Sequence, residues 1–333
     1  MPRLDQMEVL KVLKKGLMKH GVKEEIAQES AMLLVQNSLD GIYSHGVNRF
    51  PRIVSYLKKG YIKPDNRPEC IQSLGALEKW DGNLGMGNTN AKICMNRAIE
   101  LAKQYGIGCV AIRNTNHWMR GGAYGLQAAD AGCIGICWTN TQPNMPAWGA
   151  KDRRIGNNPL VMCIPKKNGH VMVDGAMAQF SYGAIEGAKL AGKMLPVPGG
   201  YDSQGNITTD PAEIEKTWRV LPIGFWKGSG FSIAMDLIAA CLSEGNSTYH
   251  VGRLSEDEYA LSQVLIAMDV EKTIKDPDAF INEVLSDIKA SDRIDENNEI
   301  LYPGEKEYIT RLDNLKNGIL INDEIWEQIL ALQ

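Results

Sequence analysis

Along the first sixty residues, apolar positions recur with the helical period, and each periodic stretch stops at a glycine. Leu4 to His20 ends at Gly21, Glu24 to Leu39 ends near Gly41, and Arg49 to Lys59 ends at Gly60, the residue best suited to close a helix. From about residue 73 the pattern changes to short apolar runs, CVAIRN, CIGICWTN, NPLVMCIP and HVMVDGA, which read as strands. Helical stretches such as Asn90 to Tyr105 and Tyr124 to Ala131 lie between them. The Pro/Gly-rich segment 195–206 reads as an ordered loop, Ser229 to Leu242 as a helix, and the segments after 276 as further helices. The expectation is an α/β body flanked by a helical unit built from both chain ends. Its boundaries fall at 1–72 with 276–333 for the helical part and 73–275 for the part that binds ligands.

The 36 basic and 40 acidic residues nearly balance, giving a formal charge of −4, and they form no basic cluster. Counterion release therefore offers no drive toward nucleic acid. No run of about 18 apolar residues suggests a membrane span, and the lysine-studded amphipathic start does not read as a signal peptide. The seven cysteines are odd in number and lack any Cys-x-x-Cys pair, which is reduced, intracellular usage. A cytoplasmic protein is expected. Cys133 and Cys137 fall on one face of a strand and read as buried packing thiols.

Several chemistries lack their signatures. G-x-G-x-x-G is missing, so a standard doubly wound dinucleotide fold is not supported. The five histidines show no metal-ligand spacing, so no metal site is expected. No G-x-S-x-G elbow points to hydrolysis.

Polar chemistry concentrates elsewhere. Tyr43-Ser44-His45-Gly46-Val47-Asn48-Arg49-Phe50-Pro51-Arg52 sits where one helix gives way to the next. If the second helix begins near His45, then His45 and Arg49 lie one turn apart on one face. A 2-keto carboxylate needs such a pair, a guanidinium for its carboxylate and a near-neutral proton donor for its keto oxygen. A helix-capping histidine beside a solvated arginine fits the same residues. In the second cluster, Asn114 to Gly122, His117 is a candidate to hydrogen-bond a substrate, or a satisfied core histidine. In the third, Trp226-Lys227-Gly228-Ser229-Gly230 opens an apolar helix whose free N–H groups, with Lys227, would suit a phosphate. An ordinary helix start with an exposed lysine fits equally.

Taken together, GIYSHGVNRFPR, RNTNHWMRGGAYG, ICWTNT, WGAKDRRIGNNPL, LAGKMLP and PIGFWKGSG resemble the malate/L-lactate dehydrogenase-like (type 2) oxidoreductase family from end to end. The resemblance implies a non-Rossmann fold with a mainly antiparallel sheet, a discontinuous helical domain and a homodimer with a shared active site. It implies NADH, with NADPH the alternative, and a small keto acid as substrate. His45 is then the proton donor, and Ser44, Arg49 and His117 line the substrate pocket. The implied cofactor contacts are His170, Val171, Met172, Val173, Asp174, Gly175 and Ala176, together with Trp226, Lys227, Gly304, Glu305 and Lys306. Within the family, malate, L-lactate, ureidoglycolate and cyclic imine acids are rival substrates. A non-catalytic sugar-acid or nucleotide binder is the rival of another class.

Overall fold

The computed structural model describes residues 3–333. Its first three helices are α1 (Gln6–Lys19), α2 (Glu24–Leu39) and α3 (Phe50–Lys58). The Asp5 side chain starts α1 by accepting from the N–H groups of Met7 and Glu8, which fills orphan donors of the first turn. The expected glycines stop all three helices: Gly21, Gly41 and Gly60 take φ of 86°, 80° and 75°. Gly16 lets Phe50 pack directly on α1, since a Cβ added there would lie 2.6 Å from the ring. Burying such a ring is worth about 1.5–3 kcal/mol, and it anchors the segment that carries the first polar cluster.

The central sheet has seven strands: β1 (Glu69–Leu74), β2 (Leu77–Asp81), β3 (Ile107–Thr115), β4 (Cys133–Thr139), β5 (Leu160–Ile164), β6 (Val171–Gly175) and β7 (Leu261–Asp269). Their spatial order is β1-β2-β3-β7-β4-β5-β6, and only the β2–β3 pairing is parallel. The late strand β7 thus fills the centre, between β3 and β4. Alternation along the strands makes two cores. Val110, Ile112, Cys137 and Leu265 pack beneath α4 (Gly87–Tyr105) and α5 (Gly122–Asp130), while Ala111, Trp138 and Val264 face the other layer. That layer holds α6 (Tyr182–Leu190), α7 (Pro211–Thr217) and α8 (Trp226–Ser243). Cys133 and Cys137 are buried, as expected of packing thiols. Segment 195–206 is less plain than expected, because Gly200–Tyr201 pairs with Ile207–Thr208 as a small ribbon.

After α9 (Thr248–Leu254) and β7 come α10 (Pro277–Lys289), α11 (Glu305–Asn317) and α12 (Asp323–Ala331). Ile319, Ile321 and Ile329 join the core formed by α1, α2 and α3, and Arg3–Leu4 pairs antiparallel with Ile319–Leu320. Among the described residues, no helix is long and apolar enough to cross a membrane.

Candidate active site

The helix that would place His45 and Arg49 one turn apart does not begin near His45. Tyr43–His45 and Val47–Arg49 are separate 3-10 turns, broken at Gly46 (φ −107°, ψ −131°), and α3 starts only at Phe50. Packing explains the break. A Cβ on Gly46 would meet Ser38 Oγ at 2.2 Å and the carbonyl oxygens of Ile42 and Leu34 at 3.0 Å, so the backbone presses against α2. Ser38 Oγ accepts from Val47 N (2.9 Å), and Asn37 Nδ2 donates to His45 O (2.9 Å). Helix α2 therefore clamps both sides of the histidine. His45 and Arg49 still line one cavity of about 630 Å³.

His117 reaches the same cavity from the loop between β3 and α5. Buried Asn116 fastens that loop by donating from Nδ2 to the carbonyls of Leu84 (3.0 Å) and Gly85 (2.9 Å). Met119, in the left-handed region at φ 70°, turns its N–H onto His117 Nδ1 (3.0 Å). Because Nδ1 accepts, the ring proton of neutral His117 sits on Nε2. Ser44 Oγ lies 3.0 Å from His45 Nδ1, and the two imidazoles stack with centroids 5.7 Å apart.

Burial, with the positive fields of Arg49 and Arg120, lowers the His45 pKa to about 4. A near-neutral donor was expected, whereas this pocket favours the neutral imidazole. His117 is also pushed well below its ordinary value, first by burial and then by Arg49. Arg52, the last residue of the first cluster, lines the same cavity. Tyr182, Asn144, Arg153 and Glu258 share it but escaped the sequence reading, because they come from distant segments and nothing local marks them.

A second cavity of about 660 Å³ gathers part of the expected cofactor set: His170, Met172 and Gly304 line it, with Lys166, Lys167 and Arg311. The contact between Met172 N and Pro303 O (2.8 Å) brings the edge strand β6 to the start of α11, where Glu305 and Lys306 form the first turn. Gly304 has φ 92°, and a Cβ there would lie 2.8 Å from His170 O and 3.0 Å from Met172 N. Arg120 lines this cavity too, ion-paired with Asp40 and 3.6 Å from Asp174, and its buried Nε lacks a hydrogen-bond partner. Cationic side chains, a narrow glycine cradle and an orphan donor fit a dinucleotide with phosphates. Val171, Val173 and Gly175 lie on the same edge strand, and Ala176 follows its end.

Trp226 and Lys227 line neither cavity. The expected phosphate cradle there is also corrected: Lys227 N, Gly228 N and Ser229 N already donate to the carbonyls of Gly224, Ile223 and Phe225. The reversed φ of 59° at Phe225 folds the chain back so that the preceding turn consumes these donors.

A half-buried His/His/Arg cluster beside a cavity suited to a dinucleotide describes a dehydrogenase, and comparison with known proteins gives the same class. The sequence pattern of malate/L-lactate dehydrogenase matches residues 4–330. A 2,3-diketo-L-gulonate reductase from Shigella boydii is 49% identical over 320 residues, 96% of each chain. Among solved structures, malate dehydrogenase from Entamoeba histolytica superposes with a TM-score of 0.93 at 28% identity, covering 99% of this chain and 97% of its own. Sulfolactate dehydrogenase from Methanocaldococcus jannaschii gives 0.89 at 30% identity, covering 99% and 96%. The chain is thus an oxidoreductase. It belongs to the malate/L-lactate dehydrogenase family, which implies a nicotinamide cofactor.

Proposed function

We propose that this enzyme reduces the keto group of a small 2-keto carboxylate, 2,3-diketo-L-gulonate to 3-dehydro-L-gulonate, at the expense of NADH. The convergence of His45, His117 and Arg49 on one cavity carries the reading. The relatives named 2,3-diketo-L-gulonate reductase support the substrate. Bound reduced nicotinamide supplies the hydride that reaches the keto carbon. Arg49, with Arg52 beside it, holds the substrate carboxylate as only a guanidinium fork can. His117 Nε2–H orients the keto oxygen, and His45 gives its proton to that oxygen as the carbonyl pair leaves carbon. Ser44 steadies the His45 ring. The carboxylate offsets the charge of Arg49, so His45 regains a pKa suited to an acid only once substrate is in place.

His170 to Ala176, Gly304, Glu305 and Lys306 hold the cofactor around the second cavity. Asp130 and Glu307 in that cavity favour ribose hydroxyls over an added phosphate, hence NADH rather than NADPH. The cofactor is bound without a Rossmann fold. The chain divides into 1–72 with 276–333 and 73–275, the strand β1 straddling the junction. It acts as a homodimer, joined across the exposed apolar side chains of α8. Seven free cysteines suit a reducing cytoplasm. The test is the loss of NADH absorbance, and separately of NADPH absorbance, with 2,3-diketo-L-gulonate, pyruvate and oxaloacetate. Oxidation with the diketo acid is expected; no oxidation with any of the three would sink the reading.

A further inference from the structure

The first cavity contains acceptors that reduction of a three-carbon acid leaves unused. Glu258, 8% exposed, lines the wall. Its Oε2 accepts from Gln142 N (2.9 Å), whereas Oε1 has no hydrogen-bond partner among the described residues. Arg49 and Arg52 face it electrostatically, and burial raises its pKa against their pull, but it forms no ion pair with either.

Asn144 repeats the pattern. Its Nδ2 donates to Asn157 Oδ1 (2.8 Å), which fixes the orientation of the amide, and its Oδ1 is buried with no partner. Two neutral donors beside them are spent inside the protein: Thr141 Oγ1 bonds to the Gln142 carbonyl and the Tyr182 hydroxyl to the Asn144 carbonyl. Apart from the arginines that line the cavity, what this wall offers a ligand is a pair of acceptors. Buried acceptors are stable only beside donors, so the ligand portion that fills this space must bring hydroxyl groups.

We propose that Glu258 and Asn144 are specificity residues that accept hydrogen bonds from the hydroxylated tail of the keto acid and reject a tail ending in a second carboxylate. The inference rests on the keto-acid reading above and adds the selection rule. A hydroxyl matches both open acceptors, while a second carboxylate brings only lone pairs and a like charge toward Glu258.

The experiment compares kcat/KM for 2,3-diketo-L-gulonate and for oxaloacetate in wild type, Glu258→Gln and Asn144→Val. The ratio favouring the diketo acid should fall about 10- to 100-fold in Glu258→Gln, the effect of one charge-assisted hydrogen bond, and less in Asn144→Val. A purely structural role would lower both substrates together and leave the ratio in place, which overturns the proposal. If Glu258→Gln melts below the assay temperature, the Asn144→Val ratio decides in the same way. A wild type that reduces neither acid overturns the keto-acid reading and this inference with it; an active wild type whose ratio is unmoved in both variants overturns this inference alone.

Discussion

The imidazoles of His45 and His117 lie 5.7 Å apart with planes 22° from parallel, although one follows α2 and the other β3. Their outer contacts differ. Met119 N–H holds His117 Nδ1, whereas His45 Nδ1 meets the rotatable hydroxyl of Ser44. His117 is thereby fixed as a neutral Nε2–H donor, and only His45 is free to change its proton count. His45→Ala should lower kcat by about 10²- to 10⁴-fold, the range for a lost general acid, with little change in NADH affinity by fluorescence titration. Full turnover in this variant would remove His45 from the mechanism.

The pH dependence follows from the lowered pKa. If His45 must be protonated for reduction, kcat/KM reports the free enzyme and should fall with rising pH above about 4. The kcat profile reports the substrate complex, where a carboxylate on Arg49 offsets the positive field, so its break should come at higher pH. Coincident breaks in the two profiles would show that the substrate does not retune His45. The same shift acts on folding. Between about 4 and the ordinary 6.5, the unfolded chain binds more protons at this residue than the native one. Stability should therefore rise with pH through that window and be lost as pH falls. His45→Asn should flatten that part of a denaturation-midpoint profile.

Arg49 tests substrate binding. Its half-buried guanidinium is a planar fork, and lysine preserves charge without two parallel donors. Arg49→Lys should raise KM for the keto acid by about 10-fold or more, in line with the loss of one charge-assisted hydrogen bond, and affect kcat less. Steady-state kinetics at saturating NADH separates the two. An unchanged KM would move the carboxylate to Arg52.

The helices and their glycine stops were legible because both signals are local, the apolar period and the left-handed φ of Gly21, Gly41 and Gly60. The polar string from Tyr43 to Arg52 was legible as chemistry but not as geometry. A helix beginning near His45 was one way to place His45 and Arg49 on one face, and the close approach of Ser38 and the carbonyls of Ile42 and Leu34 to Gly46 replaces it with two 3-10 turns. Glu258 and Asn144 gave no signal, since their role comes from lying beside a cavity assembled from distant segments. The Trp226 cradle failed for another reason: a sequence shows that N–H groups exist at a helix start, not that the turn before it has already used them.

Gly46 yields a further prediction. Alanine there forces apart Ser38 Oγ and two carbonyls, and the loop must move away from α2. Overpacking of this kind costs about 1–3 kcal/mol, so Gly46→Ala should lower the denaturation midpoint. It should also reduce kcat, because His45 loses the Asn37 and Ser38 clamps together. A variant with native stability and native turnover would show that the contact with α2 does not position the histidine.

The last prediction concerns assembly. Helix α8 exposes Trp226 at 65%, Phe231 at 60% and Leu237 at 55%. Large apolar side chains in such number on one surface helix mark an interaction face. Because the same face recurs on every copy, a two-fold pairing is the closed solution. Leu237 lines neither cavity, so a charge there tests association rather than the pocket lining. Leu237→Glu should convert a dimer into monomers in sedimentation equilibrium. If the site is shared between subunits, NADH oxidation should fall with dissociation and recover as protein concentration rises. A variant that becomes monomeric yet keeps full specific activity would leave the dimer standing and show that each subunit carries a complete site; one that remains dimeric would move the interface off α8.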